Sequence, residues 1–400
     1  MTTAQNIDHL SALTRWRNLI SWIRSHYFTF ALLLYIAGFI VLPTSKMVNN
    51  VFYIFIGLPT LWTLLTRRTL RIQPASLTEW LWWLLLGWFA IAGYFYGHPD
   101  FCRHVFYVLV FVLALTILVE PGALPYATLA RTLFWSVTAY ILFAACYYWF
   151  SQRYAFGARI ENLPSRMREP IFTSIWQAAC LAFVLPLWLQ QKKYPEAALG
   201  FLLTFFCSSF ILQSRSGIVG FFVALSFIPL YSLYKRNVRI LIFMAIALLV
   251  TLLVFIILQQ TGLYEVLTGR ADTGRLIIWQ HVTENWARCS WLRGCGLNFE
   301  IDVVIHNQLI QHPHNIFLAL GIFTGIPGLF VFILIVISSL VIALRRHDPW
   351  GAYLCVTVVS LNFDGGLLIG KQIELMLLIF LPALMIINRN RLPVAQTACR

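Results

Sequence analysis

The stretch HNIFLALGIFTGIPGLFVFILIVISSLVIAL, residues 314–344, decides the fold class. It contains no Asp, Glu, Lys or Arg, and it exceeds the ~20 apolar residues that carry a helix across a bilayer. Gly325, Pro327 and Gly328 interrupt it, so it reads as one kinked helix or as a half-helix followed by a full one. Similar runs lie near 27–43, 47–66, 77–97, 104–119, 130–150, 171–190, 197–212, 216–234, 239–258, 348–363 and 371–388. The composition agrees: 60% of residues are hydrophobic and 11% are charged. The expectation is an all-α, polytopic membrane protein with about twelve transmembrane helices of ~20 residues. No 20–50-residue repeat and no low-complexity linker divides the chain, so residues 1–400 read as a single membrane domain.

An even number of spans puts both termini on one side. With the N-terminus inside, the short inner segments collect Arg67, Arg68, Lys192, Lys193, Lys235, Arg236, Arg345 and Arg346, among others. That agrees with the positive-inside bias. Polar residues 1–26 lack a cleavable-signal pattern and read as a cytoplasmic amphipathic tail with Trp16, Leu19, Ile20 and Ile23 on one face. The net charge of +14 suits contact with anionic membrane lipids. The inner basic residues are scattered rather than gathered in one patch, which argues against nucleic acid as a partner.

Two outer polar stretches, 151–170 and 259–313, each hold four arginines. Arginines kept outside against the charge bias suggest an anionic ligand. Lys46, Arg103, Arg215 and Lys371 also fall near outer helix ends. The 259–313 stretch reads as a large, partly helical loop subdomain. Leu276, Trp279, Val282 and Trp286 recur at helical spacing, and Asp272 or Thr273 is placed to cap the helix start. Trp279, Trp286 and Trp291 are expected to anchor this segment at the membrane interface, and the segment to be more mobile than the bundle. Within it, Cys289 and Cys295 are either two free thiols or, in an oxidising compartment, a short-loop disulfide.

Several machineries are missing from the sequence. There is no G-x-x-x-x-G-K-[ST], no G-x-S-x-G, no H-E-x-x-H and no D-x-D, so nucleotide hydrolysis does not drive the chemistry. The first outer loop, Pro43 to Asn50, holds no acid. Glu300, Asp302, His306, His312 and His314 are the one set with metal-ligand chemistry, and Pro313 between the two last histidines suits a turn better than a chelate. The reading is therefore no metal and no cofactor.

The stronger constellation is cationic. Arg215 stands in Gln213-Ser214-Arg215-Ser216-Gly217, a short polar gap between two spans. Arg270 and Arg275 stand in Gly269-Arg270-Ala271-Asp272-Thr273-Gly274-Arg275. Such arginines can snorkel to lipid phosphates or pair locally, Arg275 with Asp272 or Glu284. Guanidinium forks also match phosphate oxygens, so the pair suggests a lipid-linked phosphate. His314 opens the long apolar run, where a histidine can cap the helix or accept a proton near neutral pH. Asp364, in the last outer loop, is placed to orient that histidine or pair with an arginine.

On these residues the chain resembles the O-antigen ligase family, which shares its membrane core with O-antigen polymerases and bacterial protein O-oligosaccharyltransferases. His314-Asn315, nine residues and Gly325-Ile326-Pro327-Gly328 fit the family's motif without a gap. Arg215 fits its arginine after the seventh span, Arg275 with Trp279 its loop arginine, and Asp364 its last-loop acid. The resemblance implies a GT-C-like inner-membrane glycosyltransferase with a periplasmic active site. It implies O-antigen on undecaprenyl pyrophosphate as donor and lipid A-core as acceptor. His314, Arg215 and Arg275 would be catalytic, and Arg215, Arg275, Arg270, Asn315 and Asp364 would bind substrate. Alternatives are an O-antigen polymerase, a protein O-glycosyltransferase and, from another class, a polyprenyl-linked sugar transporter. A transporter would be expected to show midplane charges and an internal repeat; neither is visible.

Overall fold

Backbone groups in lipid must find partners within their own segment, so apolar runs become helices. In the computed structural model, residues 18, 20–23, 25–66, 76–96, 99–235, 249, 253, 256, 274–305 and 308–391 are described. Every expected apolar run within them is helical. They form α1 (Tyr27–Val41), α2 (Ser45–Thr66), α3 (Leu77–Tyr96), α4 (Phe101–Leu118), α5 (Tyr126–Phe150), α6 (Pro170–Gln190), α7 (Tyr194–Ile211) and α8 (Arg215–Lys235). After the run at 239–258, of which only residues 249, 253 and 256 are described, come α9 (Arg275–Cys289), α10 (Ile316–Arg346), α11 (Trp350–Leu361) and α12 (Met376–Asn390). Among the described residues, six helices are long and apolar enough to cross a membrane: α2, α4, α5, α6, α7 and α10. Shorter apolar helices accompany them. The chain is an all-α polytopic membrane protein.

The bundle is centred on α6, whose apolar window is 83% buried. It packs against α5, α7, α8 and α11. Small residues make the closest approach possible: a Cβ on Gly217 would stand 2.4 Å from Ser174, so α8 lies directly on α6. Helix ends are tied by ion pairs between Arg389 and Asp348 (2.8 Å), Arg391 and Glu79 (2.7 Å), and Arg131 and Glu196 (2.6 Å).

The long run at 314–344 is a half-helix followed by a full one. Gly325 has φ 72° and ψ −177° inside α10, a left-handed φ that glycine adopts without a Cβ penalty. The break frees the Thr324 carbonyl, and Trp88 Nε1 donates to it at 2.9 Å from α3. Into the same break fits the chain after α9. Cys295 N donates to Ile322 O (2.6 Å) and Ile326 N donates to Trp291 O (2.9 Å). Cys289 and Cys295 are disulfide-bonded, which closes this hook on itself.

The segment from 274 to 313, apart from 306–307, is thus packed onto the bundle. Ile278, Val282 and Trp286, together with Ile301 and Val303, bury against Ala319, Ile322 and Phe323 of α10. A two-stranded antiparallel hairpin, β1 (Val303–Ile305) with β2 (Gln308–Ile310), completes it. The buried face differs from the expected one. Ile278 replaces Leu276, which is 78% exposed, while Val282 and Trp286 of the expected stripe are buried. Two apolar stripes run along α9, and only packing selects between them. The helix also starts later than expected, at Arg275 with Gly274 as N-cap and no side-chain cap; Asp272 and Thr273 lie outside the described residues.

Candidate active site

Four helix starts bring the candidate residues together. Arg215 is the first residue of α8. Ser214 precedes it and accepts a hydrogen bond from Gly217 N at 3.2 Å, capping the helix. Ser174 Oγ bonds Ser214 Oγ at 2.6 Å and fixes this turn to α6. Arg275 opens α9, Glu169 precedes Pro170 at the start of α6, and His314 precedes the start of α10. Helix starts carry unpaired N–H groups and partial positive charge, which suits an anion.

His314 has φ 49°, a strained conformation for a residue with a Cβ. Three contacts hold it. Asn315 Oδ1 accepts from Phe317 N (2.9 Å) and Leu318 N (3.1 Å), so Asn315 is the N-cap of α10. Trp279 Nε1 donates to Pro313 O at 3.1 Å, so the helix that carries Arg275 also pins the histidine turn. His314 Nδ1 lies 2.5 Å from Asp364 Oδ1. A carboxylate oxygen only accepts, so Nδ1–H donates and Nε2 keeps its lone pair for chemistry.

Electrostatics link the rest. Burial lowers the Arg275 guanidinium from its ordinary range, Asp364 opposes that shift and Arg215 adds to it. Burial lowers the His312 imidazole, with His314 adding and Asp364 opposing. Burial raises the Glu169 carboxyl and Asp364 raises it further, while Arg166, Arg168 and His314 pull it down. Arg215, Arg275, His312, His314, Asp364 and Glu169 therefore share one neighbourhood. A base with an orienting carboxylate beside two guanidiniums can deprotonate a hydroxyl and stabilise a departing anion.

Glu169 and Arg168 were missed from sequence, where they look like ordinary loop charges. Arg166 belongs to the scaffold: it pairs with Glu374 at 2.5 Å, largely buried, and its N–H donates to Leu42 O. Other arginines of the 151–170 stretch also have protein partners. Arg153 lies 5.1 Å from the Tyr148 ring centroid, and Arg159 Nε donates to Leu212 O at 3.3 Å. The arginine excess of that stretch therefore reflects scaffolding as well as any ligand. Glu284 accepts from Gln280 at 2.9 Å, and the acid that acts on Arg275 is Asp364. Arg270 and His306 lie outside the described residues. Among the described residues, no group of three His, Cys, Asp or Glu is arranged to hold a metal.

Residues 199–333 match the family model described as O-Antigen ligase. Over that stretch, about a third of its length, the chain is similar to the O-antigen ligase family. The matched region carries Arg215, Arg275, His314, Asn315 and the Gly325–Gly328 break. Asp364 and Glu169 complete the neighbourhood from outside it. No curated protein matches the chain.

Proposed function

We propose that the protein transfers O-antigen polysaccharide from undecaprenyl pyrophosphate to a sugar hydroxyl of lipid A-core, completing lipopolysaccharide. The observation that carries this reading is the 2.5 Å His314–Asp364 pair in the same neighbourhood as Arg275 and Arg215. Asp364 accepts from Nδ1 and holds the ring so that Nε2 takes the proton of the attacking hydroxyl. Attack opposite the departing diphosphate inverts the anomeric carbon. Arg215 and Arg275 meet the charge that grows on the leaving diphosphate, in the place a metal occupies in other transferases. Activity that persists in EDTA is the corresponding check. The activated donor supplies the free energy, in keeping with the missing nucleotide motif. Asn315 contributes by shaping the histidine turn, and Arg270 is a further candidate for binding the donor.

In this reading the fold is a GT-C-like bundle of about twelve spans of ~20 residues. It sits in a bacterial inner membrane with the site facing the periplasm. The Cys289–Cys295 disulfide supports an oxidising compartment on that side.

The test is transfer by purified protein from one lipid-linked donor to three acceptors in parallel: lipid A-core, a second lipid-linked glycan and a serine-bearing peptide. Product on lipid A-core alone is expected. Chain growth on the lipid-linked glycan would make the protein a polymerase, and glycosylated peptide a protein glycosyltransferase. Product on none of them, with donor crossing the bilayer, would make it a transporter.

A further inference from the structure

A second cationic centre lies outside the residues placed in the active site. Lys46 at the start of α2, Arg103 on α4 and Lys371 before α12 are far apart in sequence. They line one cavity of about 500 Å³ at the outer ends of these helices. No Asp or Glu is among the described residues lining it. The cavity also carries carboxamides with unmet demand. Asn49 Oδ1 and Gln372 Oε1 are both buried and without a hydrogen-bond partner. Such groups cost about 1–3 kcal/mol when left unpaired, so a ligand rich in hydroxyls would satisfy them.

Two neighbouring features say what kind of ligand fits. His104, Lys371 and Gln372 also line an adjoining cavity of about 600 Å³ that extends to His312. His312 in turn lies in the field of His314 and Asp364. The groove thus leads from the cationic end toward the base, and neither Arg215 nor Arg275 lines it. On the other side, α2 continues from Tyr53 in the cavity wall to an open apolar groove bordered by Ile54, Leu58, Trp62 and Leu65. These four recur at helical spacing and are 58–78% exposed. A phosphate-binding pocket above an acyl-sized apolar stripe fits an amphiphile better than a free ion.

We infer that this groove binds the phosphate-bearing sugar headgroup of an acylated glycolipid, the acceptor of the transfer reaction. Lys46, Arg103 and Lys371 hold its phosphates and Asn49 and Gln372 its hydroxyls, while its acyl chains lie along α2. The identity of this lipid as acceptor rests on the proposed function; the phosphate-and-sugar chemistry of the pocket does not. The two substrates then approach His314 from different sides, the donor by Arg215 and Arg275 and the acceptor through the groove.

The experiment uses the full chain in phosphatidylcholine nanodiscs. Four probes are titrated: phosphorylated lipid A-core, the same lipid dephosphorylated, phosphatidylglycerol and undecaprenyl diphosphate. The wild type should prefer the phosphorylated over the dephosphorylated glycolipid by about tenfold or more, as charge-assisted contacts do. The triple variant K46Q/R103Q/K371Q should lose that preference and raise the acceptor KM, with undecaprenyl diphosphate binding unchanged. Restoring charge with K46R/K371R should recover much of the preference, which a merely unfolded variant would not do. Equal binding of both glycolipid forms, or of phosphatidylglycerol and phosphorylated lipid A-core, overturns the site. So does a triple variant that loses undecaprenyl diphosphate instead. If the preference holds but lipid A-core receives no glycan, the site stands and the ligase reading falls. If lipid A-core is glycosylated and the triple variant keeps its acceptor KM, the site falls and the ligase reading stands.

Discussion

Gly294 and Gly325 meet backbone to backbone across the break in α10. A Cβ on Gly294 would stand 2.8 Å from Gly325 N and 2.6 Å from Ile322 O. A Cβ on Gly325 would stand 2.1 Å from Leu292 O. Both residues have positive φ, 73° and 72°. The contact joins the end of the arginine-bearing α9 to the helix that His314 opens. Gly325 of the motif, together with Gly294, therefore fixes the distance between two parts of the site.

Gly325→Ala should break that joint. The left-handed φ alone costs about 1–3 kcal/mol for a residue with a side chain, and the overlap with Leu292 O is with backbone, which cannot rotate away. The expected result is a lower melting temperature together with loss of transfer, while the protein still reaches the membrane. Wild-type melting and turnover in this variant would show that the hook does not hold the site together.

His314→Ala should reduce transfer by about 10²–10⁴-fold, the usual range for a general base, with donor binding retained. Asp364→Asn is the sharper test. The amide keeps the shape, but it can present an N–H to Nδ1 and so favour the tautomer that leaves Nε2 protonated. Its kcat should fall by a comparable order while substrate KM values stay close to wild type. A fall in binding with kcat preserved would move Asp364 from orienting the base to holding substrate.

Arg215→Lys and Arg275→Lys separate charge from geometry. Lysine keeps the positive charge and loses the planar fork. If the guanidiniums grip a diphosphate, each lysine variant should bind undecaprenyl diphosphate about tenfold or more weakly. Unchanged donor binding in both the lysine and the alanine variants would remove the arginines from the donor site.

How far the sequence could be read depends on the range of each interaction. Helices follow from hydropathy, a local property, and so do their approximate ends. Even the break in α10 is local, because Gly325 and Pro327 sit inside the run. The face that α9 buries is not local: Leu276 and Ile278 are equally apolar, and only contact with Ala319 and Ile322 selects Ile278. The Arg166–Glu374 pair and the Trp88–Thr324 bond join residues far apart in sequence that no spacing rule connects. His314 and Arg275 stood out because the motif and the misplaced charge drew attention to them. Glu169 carried no such signal: an acid before a Pro-started helix looks like an ordinary helix start, and the acid that acts on it, Asp364, is distant in the chain.

Glu169 offers the last prediction, a pH dependence whose sign is fixed. Burial and Asp364 raise its folded carboxyl above the ordinary value of 4.5. The folded protein thus holds this proton more tightly than the unfolded chain. Stability from this group is full below pH 4.5, the unfolded value, and is lost as pH rises through the raised folded value. Glu169→Gln mimics the protonated carboxyl at every pH. The variant should match the wild type at acid pH and gain on it progressively as pH climbs above the ordinary carboxylate range. Thermal melts of wild type and variant in one detergent, followed by tryptophan fluorescence across this range, read the difference directly. A wild type more stable than the variant at neutral pH would mean that Arg166, Arg168 and His314 outweigh burial and Asp364 at this carboxyl.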